Sequence, residues 1–167
     1  MKSKKEKIIT YLLSGLIPVV IFIIAMILNK CYPFGDKLLN IYDSKNQYSS
    51  ILLTAVRGIK SGNLFYTMNA GLGLNLYGMT TYYTTGILNI FALFANETNY
   101  DIYSTIMILV RFMCLGLSMC FYLQKKNLKP IYTIILSVSY ALMGFTSTYY
   151  YNFIWIDSII LLHYHSR

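Results

Sequence analysis

Asp43 is one of six acidic residues in a chain of 167, and it stands just before Gln47 and Tyr48 in the stretch Asn40-Ile41-Tyr42-Asp43-Ser44-Lys45-Asn46-Gln47-Tyr48. A carboxylate within reach of an attacking hydroxyl takes up its proton, which is the work of a general base. Gln47 and Tyr48 bring an amide and a phenol, groups that hold a polar substrate by hydrogen bonds. A plainer reading stands beside this one. Ser44-Lys45-Asn46-Gln47 fits the S-x-x-Q capping box, and an acid just ahead of a helix favours its positive N-terminal end. On residues alone the plainer reading outweighs the catalytic one.

Asp157 lies in the apolar run Asn152-Phe153-Ile154-Trp155-Ile156-Asp157-Ser158-Ile159-Ile160. An ionisable group at membrane depth is costly to hold there, and it marks a functional position unless a local partner explains it. A role in chemistry and a local cap or pair weigh evenly. Arg111 is the one charge inside a long apolar segment, about midway along it. It can pair with a carboxylate, bind a lipid phosphate, or bond to a neighbouring helix. Cys31, Cys114 and Cys120 show no spacing for a metal or redox motif, and the last two read as helix packing. His163 and His165, two apart, make a poor metal site. Ala70-Gly71-Leu72-Gly73-Leu74-Asn75 lacks the third glycine and the strand–helix setting of a dinucleotide loop. It reads as a tight loop.

The elements that must position these residues are membrane helices. The chain is 56% hydrophobic and 12% charged, with mean hydropathy +0.52, whereas a soluble domain carries about 25% charged residues. Three stretches are long enough to cross a bilayer core, for which about 20 residues suffice: 8–29, 102–123 and 131–151. A fourth, 152–162, begins well and stops. The first has a basic start but no small-x-small site after it, so it reads as an uncleaved anchor. The expectation is an all-α integral membrane fold: a single membrane domain over 1–167, with three full spans, a truncated fourth, and a large outer loop over 30–101. Residues 76–95 are apolar only in their second half. They are expected to form one or two short helices lying in or dipping into the outer leaflet.

Charge sets the orientation. Lys2, Lys4, Lys5 and Lys7 flank the first span, and Lys125, Lys126 and Lys129 separate the second from the third. The positive-inside rule puts both groups in the cytoplasm, with the amino terminus inside and residues 30–101 outside. The basic excess suits a lipid bilayer, and no basic stripe suited to nucleic acid is present.

An ordered set of blocks runs along residues 8–162. It includes Tyr42-Asp43 with Gln47-Tyr48, Lys60-Ser61-Gly62-Asn63-Leu64-Phe65-Tyr66, Gly71-Leu72-Gly73-Leu74-Asn75 with Tyr82-Tyr83, and Leu115-Gly116-Leu117-Ser118. Ser139-Tyr140-Ala141-Leu142-Met143-Gly144 follows, and then Asn152-Phe153-Ile154-Trp155-Ile156-Asp157. The set resembles the YfhO family of bacterial multispanning membrane proteins. The resemblance implies the amino-terminal part of a GT-C type glycosyltransferase in the bacterial cell membrane. Such an enzyme takes a sugar from a polyprenyl-phosphate carrier and passes it, on the outer face, to an envelope polymer such as a teichoic acid. It implies catalytic carboxylates at Asp43 and Asp157, with Arg111, Gln47 and Tyr48 as substrate-binding residues. No cofactor is required by it, and a divalent metal enters only if the two carboxylates converge.

Family members continue with a complete helix where this chain turns to His163-Tyr164-His165-Ser166-Arg167. The expectation is therefore a fragment, inactive alone, whose missing helices a second chain could supply. Two other classes compete. A transporter or permease subunit needs ionisable groups near the midplane, and only Arg111 qualifies. A non-catalytic membrane remnant would tolerate Asp43→Asn and Asp157→Asn.

Overall fold

The computed structural model describes residues 4–63, 65–68, 72–84 and 86–165. Its two longest helices are α1 (Lys4–Leu28) and α4 (Tyr100–Lys125). Their most apolar windows reach mean hydropathies of 2.7 and 2.1, and both helices are long enough to cross a membrane. Between them lie short pieces. A π-helical turn (Ser44–Tyr48) runs into α2 (Ser49–Ser61). A small antiparallel hairpin of β1 (Tyr66–Thr67) and β2 (Leu74–Asn75) leads to α3 (Leu76–Thr84) and a 3-10 segment (Ile87–Phe94). After α4 come α5 (Pro130–Ala141), α6 (Gly144–Thr148) and α7 (Phe153–His165).

Small residues let α1 and α4 touch. A side chain at Gly116 would run into the backbone carbonyl of Ser14, and one at Gly15 would meet Leu117 and Met113 at 3.1–3.3 Å. This is the close approach by which helices associate where lipid removes the hydrophobic drive. Further along, Phe22 stacks on Phe112 at 4.4 Å, so the two helices run antiparallel. α5 packs against both, with Thr133, Ser137 and Ala141 fully buried. At the end where α4 begins, Leu52 and Val56 of α2, Ala92 of the 3-10 segment, and Phe153 of α7 share one core with Tyr103, Met107 and Ile108 of α4. The short loop elements are thereby held on the first half of α4.

Several expectations are corrected. The span expected over 131–151 is broken: α5 stops at Ala141, and α6 begins at Gly144. The carbonyls freed by the break are taken by hydroxyls. Thr146 Oγ1 lies 2.7 Å from the carbonyl of Ala141 and 2.9 Å from that of Met143, and Ser147 Oγ donates to Leu142 O at 3.1 Å. Serine and threonine offer the backbone this alternative to a helical bond, and apolar composition does not register it. Residues 76–95 do form two short helical pieces, neither long enough to span. The all-α description needs the hairpin added. Of the tight-loop residues, Ala70 and Gly71 lie outside the described residues. Gly73 has φ 108 and faces the Tyr66 hydroxyl so closely that no side chain fits.

Candidate functional site

Asp43 does not cap a helix. Its own backbone is already helical (φ −62, ψ −28), and it makes no side-chain capping bond. The turn starts one residue earlier, at Tyr42 with φ 49. The expected capping box does not form, because both of its side chains are used elsewhere. Ser44 is buried and donates to Asn40 Oδ1 at 3.1 Å. Asn40 Nδ2 reaches Asp101 Oδ1 at 2.9 Å and Ser104 Oγ at 2.7 Å. Asn40 thus staples the Asp43 turn to the start of α4. At its other end α2 closes on Gly62, with φ 74. The Asp43 carboxylate is left exposed, with no hydrogen bond or ion pair among the described residues.

Gln47 turns to α3, where Nε2 donates to the Tyr83 hydroxyl at 2.7 Å. The Tyr48 ring meets the Tyr83 ring edge-on at 5.1 Å, and Tyr83 meets Tyr82 at 5.0 Å. Burial pushes the Tyr48 phenol up from its ordinary value, and the nearby Tyr82, Tyr83 and Asp43 push the same way; the Asn152 side chain acts against them.

Arg111 and Asp157 form a buried pair. Nε reaches Oδ1 at 2.8 Å and Nη2 reaches Oδ2 at 3.0 Å, the two-pronged geometry that makes such contacts strong. Nη2 also donates to Asn89 Oδ1 at 3.0 Å, and Nη1 makes a long contact of 3.4 Å to the carbonyl of Met107. The Phe153 ring covers the guanidinium at 3.9 Å. Arg111 is 1% exposed, so its charge is answered only from within the fold. Gly86 leaves room for the pair, since a side chain there would strike Asp157 Oδ2 and force it to shift. Asn89 Nδ2 donates in turn to the Tyr83 carbonyl at 3.2 Å. Two hydrogen-bonded stretches thus meet at Tyr83: its hydroxyl takes Gln47 of the surface turn, and its backbone carbonyl takes Asn89, which leads to Arg111 and Asp157.

Beside Asp157 opens a cleft of about 470 Å³. Its walls are largely apolar: Ile87 and Leu88 of the 3-10 segment face Ile154, Ile160 and Leu161 of α7. Cys114 lines it, while Cys120 is fully buried. His163 packs on Tyr122 and Tyr140.

The arrangement brings Arg111, Asp157, Gln47 and Tyr48 into one network and leaves Asp43 free at its edge. A divalent ion does not fit this donor set. Both Asp157 oxygens accept from Arg111, and no three metal-ligating side chains converge among the described residues. Sequence reasoning passed over Asn40, Gly86 and Asn89. Asn89 did carry a signal: it is the only polar residue in Ile87–Phe94, and a buried amide needs a partner.

The family described as bacterial membrane protein YfhO matches residues 14–162, a span that holds every one of these side chains. No curated protein and no solved structure matches the chain. The chain belongs to the YfhO family of bacterial membrane proteins.

Proposed function

We propose that this YfhO-family membrane protein serves a GT-C type glycosyltransferase, with Asp43 as its general base. In this reading Asp43 takes the proton of an acceptor hydroxyl while the hydroxyl oxygen bonds to the anomeric carbon of a lipid-linked sugar. The bond from that carbon to the phosphate oxygen breaks, and polyprenyl phosphate leaves as an anion that needs no proton. Envelope polymers of the teichoic acid type are the acceptors. Asp43 faces the outer side, and the Lys4–Lys7 and Lys125–Lys129 clusters face the cytoplasm.

The observation that carries the reading is the state of Asp43: exposed, without a bonded partner among the described residues, and on a turn fixed through Ser44 and Asn40. A carboxylate kept for capping or pairing would be engaged. Arg111 and Asp157 act as one unit in this scheme. Asp157 holds the guanidinium, and Arg111 in turn fixes Asn89, Tyr83 and Gln47 beside the base. The apolar cleft next to Asp157 suits the carrier's hydrocarbon. A permease subunit would draw on the same pair as an intramembrane charge site, yet the pair's bonds are answered by each other, Asn89 and Met107.

The test is transfer of labelled sugar from polyprenyl-phosphate glucose or polyprenyl-phosphate N-acetylglucosamine to envelope polymer, in membranes of cells carrying Asp43→Asn at the native locus. A loss of roughly 100-fold or more is expected at unchanged protein level, the scale of a removed general base. Unchanged transfer would sink the reading.

A further inference from the structure

Asp43 stands at one end of a continuous arc of aromatic rings. Phe145 lies 6.1 Å from Trp155, and Trp155 meets Tyr149 at 5.3 Å. Tyr149 lies 6.4 Å from Tyr151, and Tyr151 lies 6.0 Å from Tyr42, the residue before Asp43. The Asp43 carboxylate is within electrostatic reach of Tyr151 itself. These rings come from two distant parts of the chain, the Asp43 turn and the α6–α7 segment; Tyr149 and Tyr151 are half-buried and the other three are exposed. Tyr42 is 72% exposed, Phe145 41% and Trp155 40%.

Aromatic rings beside a free carboxylate make a particular kind of surface. A ring face is electron-rich and its edge electron-poor, so it receives the C–H bonds on the flat side of a pyranose. The carboxylate accepts hydrogen bonds from that sugar's hydroxyls. Charge excludes another ligand. On the segments that carry the arc, 42–48 and 145–157, Lys45 is the only cation, and Asp43 repels anions. A phosphodiester would want a pair of cationic donors.

We propose that the arc from Phe145 to Tyr42 is a saccharide subsite that seats an uncharged sugar ring of the acceptor, with one of its hydroxyls against Asp43. The assignment to the acceptor rests on the reading of Asp43 as the base, because a base touches the hydroxyl that attacks. The donor's lipid lies at the other side of the polar network, in the apolar cleft beside Asp157. The part of the acceptor that docks is therefore a sugar unit carried by the polymer, which supplies the attacking hydroxyl, and not its polyol-phosphate backbone.

Trp155 is the only tryptophan in the chain, so its emission reports on the arc directly. The experiment is a titration of the whole chain in lipid nanodiscs with methyl β-glucopyranoside, with chitobiose and with glycerol 3-phosphate. A saturable change in emission is expected with at least one of the two saccharides and none with glycerol 3-phosphate. Tyr149→Ala and Tyr42→Ala are each expected to weaken half-saturation by roughly tenfold, equivalent to about 1.4 kcal/mol. Tyr42 is mostly in solvent, so its truncation leaves the fold in place. No saturable response to either saccharide overturns the proposal. So does a response shared with glycerol 3-phosphate, or one that neither variant changes. Quenching of Trp155 by brominated lipids without any saccharide response would make the arc an interfacial belt instead. Saccharide binding with transfer unaffected by Asp43→Asn would remove the glycosyltransferase reading and leave the subsite. Loss of transfer in Asp43→Asn with no saccharide response would do the reverse.

Discussion

Asp43 stands in solvent with no bonded partner among the described residues, whereas Asp157 is 8% exposed and gives both oxygens to one guanidinium. Around Asp43 the elements are short: a π-helical turn and a nine-residue helix. Around Asp157 the 26-residue α4 packs on α7 through Ile108, Phe112 and Leu115, all nearly inaccessible, and Gly86 and Asn89 close over the pair. The same side chain is thus held open in one region and closed in the other. An open carboxylate can exchange a proton. A closed one fixes its neighbours, and it cannot be altered without leaving a charge buried and alone.

That contrast can be broken experimentally, and the largest effect should come from the closed side. Asp157→Asn should cost about 3–5 kcal/mol, the usual penalty for stranding a buried charge, read as lost thermal stability in detergent. Asp43→Asn should change stability by no more than roughly 0.5 kcal/mol, as surface substitutions do. Equal costs at both positions would erase the distinction. The double change Arg111→Met with Asp157→Leu should recover most of the loss, since apolar replacement of a whole buried pair is often neutral or better.

Next in size is Gly86→Val, which forces a side chain onto Asp157 Oδ2 and should cost about 1–3 kcal/mol by overpacking. Asn89→Ala leaves one Arg111 hydrogen bond unmade, and a loss of about 1–3 kcal/mol is expected in the same melting assay. Gln47→Ala should cost only about 0.5–1 kcal/mol, because its bond to Tyr83 is exposed. A double-mutant cycle between Gln47 and Asn89 sharpens the comparison further: a coupling near zero would mean that Tyr83 does not join the two regions.

The smallest effect concerns pH. The folded Tyr48 phenol titrates above its ordinary value, chiefly through burial. The unfolded chain therefore loses that proton first as pH rises. Tyr48 contributes fully below about pH 10, and its share is lost as pH climbs through the raised value. Phenolate absorbance of the native chain against Tyr48→Phe would check this, and a Tyr48 midpoint at or below the ordinary value would contradict it.

The long helices were legible because twenty-odd apolar residues without interruption admit little else, and α1 and α4 follow the expected spans 8–29 and 102–123 within a few residues. The break after Ala141 was not legible, since Thr146 and Ser147 look harmless in an apolar run until their hydroxyls are seen on the backbone. Asp43, Arg111 and Asp157 could be singled out because charges are scarce in such a chain. Their partners could not, because the contacts from Arg111 to Asp157 and to Asn89 span 46 and 22 positions. No local pattern encodes them. The Ser44–Gln47 motif misled for a related reason: a capping pattern records what two side chains can do locally, and here Asn40 and Tyr83 outcompeted the cap.

The interruption of α5 also bears on how the protein is made. With twelve residues α5 measures about 18 Å, against about 30 Å of hydrocarbon, so it is a poor candidate to leave the translocon as an independent segment. Its buried face of Thr133, Ser137 and Ala141 favours helix partners over acyl chains. If these helices are inserted in chain order, α1 would come first, α4 next, and α5 would follow as the second arm of a hairpin turned at residues 125–130.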